Sequence, residues 1–116
     1  MATAADLQAE LGAILERFER EQMQVTPSKT TVALVDNLLI AHLKDILSQA
    51  EKTLAATRDG QVLMQQFNEV LFAHVWEELK TRAEQQLQRR VIDVQTTLSP
   101  QSGSIVAVFT LEDEAA

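Results

Sequence analysis

The first stretch of the chain carries apolar residues at the spacing of a helix. They recur every three or four positions, and acidic and basic residues occupy the positions between them. This pattern predicts an amphipathic helix over residues 3–24. Thr3 or Asp6 can cap its start, and Thr26-Pro27 ends it because the residue before a proline is pushed out of the helical region. The predicted apolar face comprises Leu7, Leu11, Ile14, Leu15 and Phe18.

The next segment alternates with the two-residue period of strands. The sequence KTTVALVDNLLIAHLKD contains two runs rich in strand-forming residues, separated by Asp36-Asn37. Aspartate and asparagine tolerate the left-handed backbone of a tight turn, so this segment predicts a β-hairpin. In its second run, Leu39, Ala41 and Leu43 would share one face, and Leu38, Ile40 and His42 the other.

A second hairpin is predicted near the end of the chain. In RRVIDVQTTLS, apolar and polar residues alternate as on a strand with one dry face and one wet face, and SPQSG supplies the turn before the return strand SIVAVFTL. The predicted dry face comprises Ile92, Val94, Thr96 and Leu98 on the first strand and Ile105, Ala107, Phe109 and Leu111 on the second.

Two helices are predicted between the hairpins. Ser48 followed by Glu51 has the spacing of a capping box, which starts a short helix that Asp59-Gly60 would break. A long helix follows over about residues 59–88, rich in strong helix formers. The order is therefore α-ββ-αα-ββ.

These elements predict an α+β fold in which helices cover a four-stranded antiparallel sheet made of the two hairpins. Whether the hairpins join into one sheet is left open by the pattern. The length of 116 residues suits a single domain, which we place at residues 1–112. The acidic segment 113–116 is expected to be a disordered, solubilising tail.

Composition excludes several classes of function. The net charge of −7 disfavours binding to nucleic acid, whose phosphates require clustered Lys and Arg, and direct contact with anionic lipid. The absence of cysteine excludes disulfides and thiolate chemistry. No segment has the roughly 20 consecutive apolar residues of a membrane-spanning helix. We therefore expect a cytoplasmic protein without direct membrane insertion, able to lie at the inner face of the membrane through its partners.

The polar residues do not form a recognisable catalytic pattern. His42 lies in a predicted strand and His74 on the long helix, and neither has the neighbours that a zinc site or a general base requires. The aspartates and serines lie mainly at turns and caps, where they commonly serve a structural role. We therefore predict no catalytic, cofactor-binding or metal-binding residues, and a protein that is not an enzyme.

The long helix carries two apolar stripes on nearly opposite sides. The first comprises Leu63, Phe67, Val70, Leu71 and His74, and the second comprises Phe72, Trp76, Leu79, Ala83 and Leu87. One sheet cannot bury both stripes. Either the first helix or a curved sheet covers the second stripe, or the second stripe is a surface for self-association or for a partner, since aromatic residues are enriched at interfaces. The candidate partner surface is Phe72, Trp76, Leu79 and Ala83.

Several segments together resemble the MpsC family. They are FERE at 18–21, Pro27, VDNLLIAHLKDILSQAEKTLA at 35–55, and RRVIDVQTTLSPQSGSIVAVFTLE at 89–112. The most family-like positions are Leu47, Glu51, Leu54, Gly60 and the closing VFTLE. Val25 and Thr26 stand where family members have glycine, and Arg89 or a neighbour replaces another glycine before the third strand.

The resemblance implies a small accessory component of a bacterial sodium-translocating, membrane-potential-generating system. Its expected partners are an antiporter-like membrane subunit and a large soluble subunit linked to inorganic-carbon uptake. We also expect a homodimer, formed through the long helix or a sheet edge. The alternative is a stand-alone homodimeric sensor or adaptor that binds a small metabolite or a protein partner.

Overall fold

The computed structural model describes residues 3–113 and contains helices packed on a four-stranded antiparallel sheet. Two hairpins alternate with helical segments in the order predicted from the sequence. The helices are α1 (Ala4–Phe18), continued by a π-helical turn (Glu19–Met23), α2 (Gln49–Leu54) and α3 (Arg58–Leu87). The strands are β1 (Lys29–Val35), β2 (Leu38–Lys44), β3 (Val91–Ser99) and β4 (Ser104–Leu111).

The two hairpins join into one sheet through β2 and β4. The strand order is β1-β2-β4-β3, with antiparallel pairing throughout. Leu39 pairs with Phe109 and Ala41 with Ala107 across the central seam. All four side chains are buried, so the seam between the hairpins is also the centre of the core.

The first helix begins as predicted and ends in a different geometry. Thr3 accepts a hydrogen bond from the backbone N–H of Asp6, and the Asp6 carboxylate accepts one from the backbone N–H of Thr3, which completes a capping box. The predicted helix 3–24 is α-helical only to Phe18. The following π-helical turn is wider than an α-helical turn, and both Phe18 and Glu19 are buried where the geometry changes.

The first hairpin turns at Asp36-Asn37, as predicted. Asp36 has a left-handed backbone with φ of 54°. The Asn37 side-chain amide donates to the carbonyl oxygen of Leu111 at 3.0 Å, and the N–H of Leu111 donates to the carbonyl oxygen of Asn37 at 2.8 Å. These bonds tie the turn of the first hairpin to the end of the second.

The connection between α2 and α3 differs from the prediction at Gly60. Ser48 and Glu51 form the predicted capping box, but α2 ends at Leu54 and the side chain of Thr57 caps α3 by accepting from the N–H of Gly60. Gly60 therefore lies inside the first turn of α3 and does not break α2. A Cβ atom at Gly60 would lie 1.7 Å from the carbonyl oxygen of Leu54, so this glycine permits the close approach of the two helices.

The prediction for Ile92 is wrong because β3 is irregular at its start. Val91 pairs with Leu111 and Asp93 pairs with Thr110, so Ile92 is an extra residue in the ladder. With this bulge, the Ile92 side chain is 60% exposed, whereas the Val91 side chain points into the core and is 2% exposed. Beyond the bulge, Val94 and Leu98 face the core as predicted.

The core lies between the helices and one face of the sheet. Each strand of the second hairpin contributes alternate residues, and α1 contributes its predicted apolar face. The fully buried large side chains are Phe109, Leu11, Leu39, Leu43, Leu87, Leu111 and Val91. Residues 114–116 of the predicted acidic tail lie outside the described residues.

We expect Gly60→Ala to lower the free energy of unfolding by about 2 kcal/mol, because the new methyl group meets backbone that cannot rotate away. Urea denaturation followed by circular dichroism measures this change. Gly12→Ala is the matched control, because its Cβ would lie 3.6 Å from the Val32 side chain and 3.7 Å from that of Thr30, which is ordinary contact. Alanine also favours helix by up to about 1 kcal/mol, so this control should be neutral or stabilising. Equal destabilisation of both variants would contradict the close approach at Gly60.

Candidate functional site

The stripe of α3 predicted to meet a partner lies mostly inside the molecule. Leu79 is 3% exposed, and Ala83 and Leu87 are 0% and 2% exposed. These residues belong to the core, so the assignment of Leu79 and Ala83 to a partner surface is corrected. The sequence shows two comparable stripes, and only the position of the sheet and α1 decides which one is buried.

The two aromatic residues of the same stripe are partly accessible. Phe72 and Trp76 are half-buried, and the Nζ atom of Lys80 lies 5.7 Å from the centroid of the Trp76 ring. This distance permits a cation–π interaction. Trp76 therefore presents part of its indole, with a positive charge beside it, at the surface of α3.

The opposite stripe of α3 is exposed. Leu63, Phe67 and Val70 are 54%, 56% and 59% exposed, and they recur at the spacing that places side chains on one face of a helix. We call these three residues the outer stripe. Gly60 and Met64, on the inner side of the same part of α3, are buried. The outer stripe is thus a continuous apolar ridge on the surface of the described chain.

A second surface that carries apolar residues is the face of the sheet that points away from the helices. Residues directly opposite each other in antiparallel strands share a face. Ala33, Ile40, Val108 and Gln95 form one such row, and Val35, Leu38, Thr110 and Asp93 form the next. We call the apolar residues of this surface the outer sheet face; they are Ala33, Val35, Leu38, Ile40, Val106 and Val108. The sequence predicted the outward direction of Leu38 and Ile40, whereas the rows depend on the pairing of β2 with β4.

A cavity of about 60 Å³ lies between α1, α3 and the inner face of the sheet. Its lining is almost entirely apolar, and Glu19 supplies a carboxyl group. Burial, and secondarily the negative charge of Glu51, raise the pKa of Glu19 from 4.5 to about 7. Sequence reasoning missed this residue, because the π-helical turn that brings Glu19 inward leaves no recognised sequence signal. Other lining residues include Leu15, Phe18, Leu43, Phe72, Leu79 and Ile105.

Most other polar side chains near these surfaces have structural partners. Arg82 donates to Glu21 at 2.9 Å and to Glu78 at 2.7 Å, which links the end of the first helical segment to α3. The Nδ1 atom of His74 lies 2.8 Å from the carbonyl oxygen of Val70. The hydroxyl of Ser28 donates to Asp45.

Two kinds of feature are absent from the described chain. Across residues 3–113, no three His, Cys, Asp or Glu side chains are grouped closely enough to hold a metal ion. Among the helices of the same range, none has the length and apolar character needed to cross a membrane.

The structure is thus a two-layer α+β domain whose described helices leave two surfaces with apolar residues open. The family model for MpsC, described as "Na+-translocating membrane potential-generating system (MpsC)", matches residues 3–113. The chain therefore belongs to the MpsC family, and the resemblance seen in the sequence is confirmed. No curated protein and no solved structure matches the chain.

The raised pKa of Glu19 predicts a stability that falls as pH rises. Below about pH 4.5 the carboxyl is protonated in both the folded and the unfolded chain. Between about 4.5 and 7 folding requires uptake of a proton, and above about 7 the folded state holds a buried negative charge. Because each tenfold difference in proton affinity between the two states corresponds to about 1.4 kcal/mol, the total loss of stability can reach about 3 kcal/mol.

Glu19→Gln removes this titration, since the amide stays neutral at every pH. We expect its free energy of unfolding to exceed that of the unmodified chain at pH 8 and to match it at pH 4.5, as measured by urea denaturation across the pH range. Glu69→Gln, an exposed change on α3, is the control and should leave the pH profile intact. If Glu19→Gln has the same pH profile as the unmodified chain, the buried carboxyl has no such role.

Proposed function

We propose that this protein is an accessory subunit of a Na+-translocating, membrane-potential-generating system, and that it acts by binding other subunits and not by catalysis. The observation that carries this proposal is the family match, which spans residues 3–113. Because the match covers the helices and the sheet alike, it concerns the whole described domain.

Many polar side chains stabilise the fold, which supports a role without catalysis. Thr3 and Ser48 cap helices, Glu51 completes the second capping box, and Arg82 joins two helical segments. Each of these groups stabilises the fold through a partner of its own. The outer stripe, by contrast, is apolar and exposed, and apolar surface of this kind favours contact with another protein.

We propose that the partners are an antiporter-like membrane subunit and a large soluble subunit, and that the protein works at the inner face of the membrane by binding them. The net charge of −7 supports attachment through protein, because anionic lipid headgroups would repel the chain.

The outer stripe is the surface we assign to a partner subunit. Leu63, Phe67 and Val70 have the i, i+4, i+7 spacing with which a helix presents apolar anchors to a groove or to another helix. Phe67 is the largest of them and is 56% exposed, so covering it would remove the most apolar surface from water. The partly exposed edge of Trp76 lies on a different side of α3, and we propose it as a second, smaller contact.

The alternative role as a metabolite sensor is less well supported. A metabolite bound inside the core would occupy the cavity beside Glu19, whose volume is about 60 Å³. Pockets for small molecules usually have volumes of about 300 Å³ or more. Binding there would therefore require the core to open. A hollow of about 480 Å³ between α1 and β1 is large enough, but it is shallow and open to solvent. A ligand that did bind at either place would raise the melting temperature by mass action.

The accessory role is tested by purifying the tagged protein from membranes of its host in mild detergent and identifying the proteins that accompany it by mass spectrometry. We expect recovery of a multi-spanning ion-translocating subunit and its large companion. Phe67→Glu should reduce that recovery at least about tenfold, because a desolvated, unpaired charge at an interface costs more than about 2 kcal/mol.

Gln65→Glu is the matched control, since it adds the same charge at an exposed position two residues away and should leave recovery unchanged. Trp76→Glu tests the smaller contact in the same assay and should give an intermediate loss. Recovery of the protein without any ion-translocating subunit would overturn the proposed function. Unchanged recovery with Phe67→Glu would overturn the assignment of the outer stripe.

A further inference from the structure

Glu19 carries a carboxyl group that the described chain leaves without compensation. The residue is 9% exposed, and its side chain has no hydrogen-bond partner among the described residues. The other polar side chains in the cavity wall, Asn68 of α3 and Thr96 of β3, are neutral. The negative charge of Glu51 in α2 adds to the effect of burial, and together they raise the pKa of Glu19 to about 7. A buried carboxyl in such surroundings is tolerated best as the neutral acid.

The charged residues next to Glu19 on its own turn lie outside the cavity wall. Arg20 and Glu21 are exposed, and Glu21 accepts a hydrogen bond from Arg82 of α3 at 2.9 Å. Because the two side chains are 46% and 32% exposed, this ion pair holds the turn to α3 only weakly. Within the described residues, α3 and the sheet bring no titratable side chain to the cavity wall.

The π-helical turn is held less firmly than the helix before it. α1 is anchored by the five buried residues of its apolar face, whereas the buried residue of the turn is Glu19 itself. The turn ends at Gln24, whose backbone is left-handed with φ of 56°. The N–H of Val25 donates to the carbonyl oxygen of Glu19 over 3.4 Å, longer than the typical distance of about 2.9 Å. This segment can therefore open while α1 and the sheet stay folded.

We propose that residues 19–25 form a pH-sensitive switch, which is closed while the Glu19 carboxyl carries its proton and opens when that proton is lost to water. In the open state the π-helical turn unwinds, the carboxylate reaches water, and the apolar wall of the cavity becomes accessible. Unwinding one turn disrupts far fewer contacts than unfolding the chain, so the local response comes first.

The switch has a defined pH range. In the open segment Glu19 has the ordinary pKa of 4.5, whereas in the closed segment its pKa is about 7. Below about pH 4.5 the carboxyl is protonated in both states, so pH has no effect on opening. Between these values the ratio of open to closed segment rises about tenfold per pH unit, and above about pH 7 it is constant. The whole increase is on the order of 100-fold.

Hydrogen exchange followed by mass spectrometry tests the switch on the purified chain. The unmodified chain and Glu19→Gln are compared at the same pH, so the ordinary pH dependence of exchange cancels. At pH 8 the peptide that covers residues 19–25 should exchange at least about tenfold faster in the unmodified chain, because only this chain can ionise there. At pH 4.5 the two proteins should exchange alike.

The strands distinguish local opening from unfolding of the whole chain. A peptide from β4 should differ much less between the two proteins at pH 8 than the peptide from residues 19–25. Equal acceleration in both peptides, or none in either, overturns the proposal. Glu21→Gln is the matched control, because it loosens the turn by removing the bond to Arg82. It should speed exchange of residues 19–25 while leaving the acceleration between pH 5.5 and pH 8 in place.

Access to the cavity wall has a separate readout. The chain has no cysteine, so an introduced cysteine is a unique reporter for thiol labelling at pH 8. Leu79 lines the cavity, and Leu87, also on α3, is equally buried but does not. Adding Glu19→Gln should slow the labelling of Leu79→Cys at least about tenfold and affect Leu87→Cys much less. The same slowing at both positions overturns the proposal. If Leu79→Cys fails to fold, the exchange measurement decides alone.

Discussion

The pairing of β2 with β4 is the contact on which the rest of the structure depends. It joins two hairpins that are separated in sequence by α2 and α3, and it places Leu39 beside Phe109 and Ala41 beside Ala107 in the core. Closing so long a loop costs conformational entropy. Burial of the seam under the helices offsets that cost, at roughly 25 cal/mol for each Å² of apolar surface removed from water. Without this pairing, each two-stranded hairpin would be marginal alone.

The same pairing determines which surfaces stay open. α3 has 30 residues and spans about 45 Å, whereas a seven-residue strand spans about 23 Å. The sheet therefore cannot cover α3 along its whole length, and the molecule is 50 Å in its longest dimension. The C-terminal half of α3 supplies Leu79, Ala83 and Leu87 to the core, and the outer stripe is left uncovered in the other half. Because the described helices all lie on one side of the sheet, none of them covers its other side.

These two surfaces give a physical basis for a subunit that works by contact. Family membership supplies the system in which such contacts would matter, and the structure supplies an apolar ridge and a partly apolar sheet face that could make them. The buried Glu19 lowers the stability of the fold at high pH, and the cavity beside it lies between α1, α3 and the sheet. That cavity is a feature of the core, whereas the surfaces proposed for binding are formed by exposed residues.

Local patterns were sufficient to predict the α-helices and strands of the described chain, but not the π-helical turn after Phe18. The capping boxes at Thr3 and Ser48, the turn at Asp36-Asn37 and the period-two runs act within a few residues, so they can be read without the fold. Family membership could be inferred in the same way, from turn formers and packing residues in order.

Tertiary structure decided everything that depends on how distant segments meet. The bulge at Ile92 turns that side chain outward, against the alternation of the strand. The close approach of the Leu54 carbonyl oxygen explains why position 60 requires glycine. The π-helical turn brings Glu19 inside. The choice between the two apolar stripes of α3 was settled by where the sheet lies, because a helix with two similar faces has no local preference for burying one of them.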